Sequence, residues 1–183
     1  CQKENIHAEE PALFAIAQKT DGAMRDALSL LDRLAANPSR IVTYDETKSL
    51  LGILDESYYQ RIAEAAYLGD STTVLQSFNE AYNDGFEPDV ILEGLQQYFR
   101  HLYFLTNPGT SGLLEISPDL IDDMGLQAKR LGRSYITSAL DILNTADINY
   151  KTAKHKRLHL EVALIKLAHL RQAYLLSMDG NVG

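Results

Sequence analysis

A helix with apolar residues on two adjacent lines has to be packed from two sides, and the last long periodic segment of this chain is of that kind. Between about Ala153 and Ser177, Leu158, Val162, Ile165 and His169 follow one line, while Leu160, Leu164, Leu167, Leu170 and Tyr174 follow another. The preceding helix, about Ser134 to Asn149, returns antiparallel through the polar join Asn149-Tyr-Lys-Thr and supplies one partner. The second is expected from another helix of the chain or from another subunit. A chain that ends this way is committed to helix-on-helix packing.

The rest of the sequence agrees. Leu13, Phe14, Ile16 and Ala17 mark a helix from Ala8 to Lys19, with Glu9, Glu10 and Pro11 in its first turn, and Asp21-Gly22 breaks it. A second helix, about Ala23 to Ala35, has Asp21 or Gly22 near its cap and presents Ala27, Leu28, Leu31 and Leu34 as its buried stripe. After the linker Asn37-Pro-Ser-Arg40, Ile41-Val42 reads as a short extended piece. Thr43 with Glu46 three residues on then has the spacing of a capping box. Gly52, Gly69-Asp70 and Gly85 punctuate helices that carry Tyr58, Ile62, Ala65 and Ala66, then Val74, Phe78, Ala81 and Tyr82. From Asp89 to Leu105 apolar residues occupy so wide an arc that this helix is expected at the centre. The loop Asn107-Pro-Gly-Thr-Ser-Gly112, the piece Leu113 to Ile116, a proline-started helix from Pro118 to Leu131 and Gly132 complete the series. No repeat of roughly 34 or 40 residues makes it a solenoid. The expected fold is all-α, with a two-helix piece over residues 1–36 too small to be complete and a helical bundle over 40–179.

Charge narrows the function. Seventeen Lys and Arg against 25 Asp and Glu leave a net charge of −8, a poor basis for stand-alone nucleic-acid binding. Cys1 is the single cysteine, which suits a reducing cytoplasm. No run approaches the about 18 apolar residues that span a bilayer, and the N-terminus has no signal-peptide order. Without an initiator methionine, the chain is expected to be cut from a longer one.

Catalytic constellations are not evident. There is no phosphate loop and no dinucleotide fingerprint, so any ATP role here is accessory. His155 and His159 are four apart but lack the intervening glutamate of a zinc protease, and metal binding is not expected of them. His7, His101 and His169 stand alone. The pairs Asp122-Asp123, Glu9-Glu10 and Asp45-Glu46 lie near helix starts, where capping accounts for them. Lys151, Lys154, Lys156 and Arg157 form a compact basic patch, read first as a solvated face.

Arg25 is different in placement. Within Gly22-Ala-Met-Arg-Asp-Ala-Leu-Ser-Leu-Leu-Asp32 it sits in the first turn of its helix, where a guanidinium beside free amides can fork onto a phosphate held by another domain. From spacing alone an ion pair with Asp21 or Asp32 is the plainer reading.

The segment Thr20-Asp-Gly-Ala-Met-Arg-Asp-Ala-Leu-Ser-Leu-Leu-Asp-Arg33 resembles the sensor-2 segment of the gamma/tau subunit of bacterial DNA polymerase III, the motor of the clamp loader. Ile41-Val-Thr-Tyr-Asp-Glu-Thr-Lys-Ser-Leu-Leu-Gly52 is similar to the strand and helix that open that family's third domain. Leu158-His-Leu-Glu-Val-Ala-Leu-Ile-Lys-Leu167 resembles its closing collar helix.

The resemblance implies the end of an AAA+ lid over 1–36 and a helical collar for oligomerisation over 40–179. It implies that Arg25 senses the γ-phosphate, with Met24 and Gly22 shaping the helix end near the nucleotide. ATP with Mg would be bound by the full-length parent and not by this piece alone. Partners implied are other gamma/tau subunits, delta and delta-prime through the collar, with sliding clamp and primed DNA met mainly by other domains; no membrane is involved. The implied function is ATP-driven loading of the sliding clamp during DNA replication, with no catalytic residue in this stretch. The competing expectation is a helical adaptor without a nucleotide role.

Overall fold

The computed structural model describes residues 6–21, 23–36, 41–107, 109–110, 114 and 118–179. Among the described residues there are nine α-helices and two strands of two residues each, and no helix is long and apolar enough to cross a membrane. The chain packs as two compact units, Cys1–Asp55 and Glu56–Gly183.

In the first unit, strand β1 (His7–Ala8) leads into α1 (Glu10–Lys19), α2 (Met24–Leu34), β2 (Ile41–Val42) and α3 (Tyr44–Leu51). The strands pair in parallel, His7 opposite Ile41 and Ala8 opposite Val42. Asp21, at φ 47°, turns the chain out of α1. The cap of α2 is Ala23, directly after the Asp21-Gly22 break that the sequence places near it, and it has no side chain to satisfy a first-turn amide. Gly22 and the linker 37–40 lie outside the described residues. The core here is Ala12, Ile16, Leu31, Leu34 and Val42.

That core corrects two predicted stripes. Leu13, Phe14 and Ala17 on α1, and Leu28 on α2, face outward, and Leu28 is 52% exposed. Ala12 and Ala15 take the inner face of α1, because their small side chains let it approach α3, against which it packs most extensively.

Thr43 caps α3, its hydroxyl oxygen accepting from the Glu46 amide at 3.3 Å, and Gly52 closes the helix at φ 61°, ψ 41°. Thr43→Ala is expected to destabilise the first unit by about 1 kcal/mol. Hydrogen exchange of α3 amides checks this, and unaltered protection would refute it.

The second unit is α4 (Glu56–Leu68), α5 (Ser71–Asn83), α6 (Pro88–Leu105), α7 (Pro118–Leu131), α8 (Arg133–Tyr150) and α9 (Lys156–Asp179). As the wide apolar arc predicts, α6 is central, packing against α4, α5, α7, α8 and α9 with Ile91, Leu92, Leu95, Phe99 and Leu102 buried. Gly85, at φ 94°, lets the Phe86 amide return to the Ala81 carbonyl at 3.0 Å and end α5.

The two lines of α9 have different fates. Leu160, Leu164 and Leu167 are buried against α4, α5 and α8, whereas Leu158, Val162, Ile165 and His169 are exposed. The side chain of Tyr174 and most of 111–117 lie outside the described residues. α9 also starts three residues later than the spacing predicts. The join is held instead by Ala153 N donating to Asn149 O at 3.1 Å and by the Lys156 ammonium donating to the Tyr150 carbonyl.

Tyr58, Tyr59, Tyr98 and Tyr135 are buried, and burial pushes each phenol above the usual tyrosine range. Unfolded phenols ionise near pH ~10. The folded chain therefore binds more protons above that pH, and stability is full below it and falls as pH rises past it. Alkaline absorbance titration is expected to show these four of the ten tyrosines silent until the helices unfold. All ten ionising together with helicity intact would contradict it.

Candidate functional site in the lid helices

Arg25 is exposed in the first turn of α2. Its backbone carbonyl accepts the Ser29 hydroxyl at 2.9 Å. Among the described residues no ion pair joins it to Asp21 or Asp32, so the plainer reading from spacing does not hold there. Met24 beside it is 71% exposed, while Gly22 lies outside the described residues. Because Ala23 offers no side-chain cap, the first-turn amides of this 11-residue helix lack a side-chain acceptor from that position. A fork of cationic donors beside free amides suits a phosphate; it provides no acid, base or nucleophile.

The other sequence candidates have structural employment. Lys156 lies over the Tyr150 ring at 4.5 Å. Arg157 bonds Glu161 and Asn79, each at 2.9 Å, and stacks 4.7 Å from the Tyr82 centroid, so half of the basic patch joins α9 to its neighbours. His159 meets the Ala146 carbonyl at 2.8 Å, and His169 the Ile165 carbonyl at 2.9 Å. His101 is buried on α6 and His7 is exposed on β1. Glu9 accepts the Tyr44 amide at 2.7 Å, and Asp45 pairs with Lys48 at 3.1 Å.

Sequence reasoning missed a polar knot in the bundle. The Tyr98 hydroxyl donates to Gln127 Oε1 at 2.5 Å, and Gln127 Nε2 donates to the Gln60 carbonyl at 3.1 Å and to Glu64 at 3.3 Å. Arg130 pairs with the same Glu64. One amide thus joins α4, α6 and α7. The signal available was a glutamine on the apolar side of α7, between Met124 and Ala128. An open groove of about 690 Å³ between α6 and α8 was also not legible; Glu93 and Asp141 line it together with Arg100.

Comparison with known proteins gives this geometry a context. Residues 1–36 match the ATPase lid domain of the DNA polymerase III clamp loader subunit, and residues 42–176 match DNA polymerase III subunits gamma and tau domain III. The fold is also similar to the solved DNA clamp loader delta protein of Bacillus subtilis. That likeness has a TM-score of 0.51 at 18% identity and covers 91% of this chain and 52% of that one. A short helical lid segment followed by an all-helical domain defines a clamp-loader class of chain.

Within that class, the chain belongs to the family of DNA polymerase III subunits gamma and tau. It is 29% identical over 165 residues to DNA polymerase III subunit tau of Bacillus subtilis, covering 90% of this chain and 29% of that protein. It is 26% identical over 171 residues to subunit gamma/tau of Mycobacterium bovis, covering 91% of this chain and 30% of that protein. The chain therefore spans less than a third of the length of these relatives.

Proposed function

We propose that this chain is the end of the ATPase lid and the helical collar of a clamp-loader motor subunit, with Arg25 as the lid's contact to the γ-phosphate of ATP. The observation that supports this reading most directly is an exposed guanidinium in the first turn of α2, without an ion-pair partner among the described residues, inside the stretch that matches the lid. A helix held in place by other contacts carries a cationic fork that the fold itself does not use. Met24 and Gly22 shape the approach to it.

ATP with Mg would be bound by the ATPase domain of the parent, and Arg25 would report whether the terminal phosphate is present. Hydrolysis removes the anion that holds the lid, so lid position follows nucleotide state. The collar would join other gamma/tau subunits, delta and delta-prime in a ring, and the exposed apolar line of α9 favours such contacts. Clamp and primed DNA would be met mainly by other domains, in keeping with the acidic charge of this one.

The test is nucleotide discrimination by the full-length parent. Arg25→Ala is expected to lower the ratio of ATP to ADP affinity about tenfold, the weight of one charge-assisted hydrogen bond. An unchanged ratio would sink the sensor role.

A further inference from the structure

Two neighbours on α7 are sorted against their polarity. Leu126 is 67% exposed, whereas Gln127, the next residue, is 2% exposed. Hydrophobicity alone does not put a glutamine inside, because a buried amide is unfavourable unless its polar atoms are met.

Here they are met from two helices at once. The Gln60 carbonyl only accepts, so Gln127 Nε2, 3.1 Å away, is the donor and the orientation of the amide follows. Nε2 has a second acceptor in Glu64 at 3.3 Å, and Oε1 is thereby turned to accept from the Tyr98 hydroxyl at 2.5 Å. Tyr98 is 1% exposed and stands edge to face with Phe99, centroids 6.4 Å apart, so its hydroxyl has no path to water by a small movement. Arg130, from the next turn of α7, pairs with Glu64 at the rim.

The apolar side of α7 is less selective. Met124, Ala128 and Leu131 are buried, and the helix packs on α6, on α8 and, least of the three, on α4. Apolar attraction has no direction, and a stripe that repeats at every turn is buried to a similar extent when a helix rolls or slides by one ridge. A shift by four residues would set Asp123 or Leu131 where Gln127 stands. Asp123 would bring a second carboxylate up to Glu64, and Leu131 would leave the Tyr98 hydroxyl without its acceptor.

We propose that Gln127 is a register lock: apolar packing holds α7 on the bundle, and the amide admits one of the closely spaced positions that such packing would accept. What it contributes is a unique position for α7 more than stability, since a polar pair replaced whole by apolar groups of the same shape is nearly neutral.

The variant Tyr98→Phe with Gln127→Met removes both ends of the shortest contact and keeps the core volume close to native. In this chain the double variant is expected to unfold in urea near the native midpoint, while amides of α7 exchange roughly tenfold faster and those of α5 and α9 keep their native rates. In heteronuclear NMR spectra the α7 amides should split or broaden where the native chain gives one signal each. A single set of α7 signals with native exchange overturns the lock, whatever the midpoint. Exchange that quickens equally through α4 to α9 overturns it too, because that is the mark of lost stability alone. Arg130→Met locates the lock: its half-exposed ion pair is expected to change α7 exchange by less than about twofold. A rise as large as in the double variant would place the lock in that pair and refute the role of the amide.

Discussion

A clamp loader rebuilt with Arg25→Ala in the full-length parent is expected to assemble normally and to load clamps onto primed DNA roughly 10- to 100-fold more slowly with ATP, the range for losing a hydrogen-bonded charge contact. Assembly should be spared because Arg25 is exposed and α2 is held by Leu31 and Leu34, not by the guanidinium. Arg25→Lys should fall between, since an ammonium keeps the charge but not the planar fork. Loading at the native rate by the alanine form would leave Arg25 a surface residue. Loss of loading accompanied by loss of the ring would mean that its role is structural. Sedimentation of the rebuilt loader distinguishes these outcomes.

Gly94→Ala is expected to destabilise the bundle by about 3 kcal/mol, although alanine is the better helix former by about 1 kcal/mol. Gly94 lies within α6, and a Cβ built there would stand 2.0 Å from Tyr59 Oη and 2.2 Å from Cζ. Tyr59 has little room to withdraw, being 7% exposed and held edge to face against Tyr58 with centroids 5.4 Å apart. α4 and α6 would have to separate, and α6 is the helix on which the other five of the bundle pack. Urea unfolding followed by circular dichroism measures the loss. A second variant isolates the cause: with Tyr59→Leu already in place, adding Gly94→Ala should cost far less, because the ring that meets the new methyl is gone. Equal costs in the two backgrounds would mean that the clash is not the reason.

Much of this molecule was legible because helical periodicity and chain punctuation are local. α5 and α7 run over the residues their spacing and breakers predict, and the arc of apolar residues from Ile91 to Leu102 sufficed to place α6 at the centre. Thr43 and Gly52 bracket α3 as their chemistry requires, since a cap is decided by a hydroxyl three residues from an amide and a left-handed turn by the absence of Cβ. Arg25 was visible for the same kind of reason: its position in a first turn is a property of ten residues. What spacing misjudged was its company, because an aspartate at helical distance is a candidate partner and not an obligatory one.

The failures share a different cause. Whether Leu28 or Leu30 turns inward depends on where α3 lies, and α3 is brought to α1 by a strand pair whose members are more than thirty residues apart. Likewise, two apolar lines on α9 demand two coverings, but sequence cannot say that helices of the chain cover one line and leave Leu158, Val162 and Ile165 exposed. The need for Gly94 is invisible without the ring of Tyr59, and Gln127 looks like any helical glutamine until Tyr98 and Gln60 converge on it. The sequence by itself determined the helices, their breaks, the acidic charge and the position of Arg25 in a first turn, all set by neighbours along the chain. The tertiary structure alone decided which faces are buried, which polar groups meet and where one body ends and the next begins, because those depend on close packing between segments far apart in sequence.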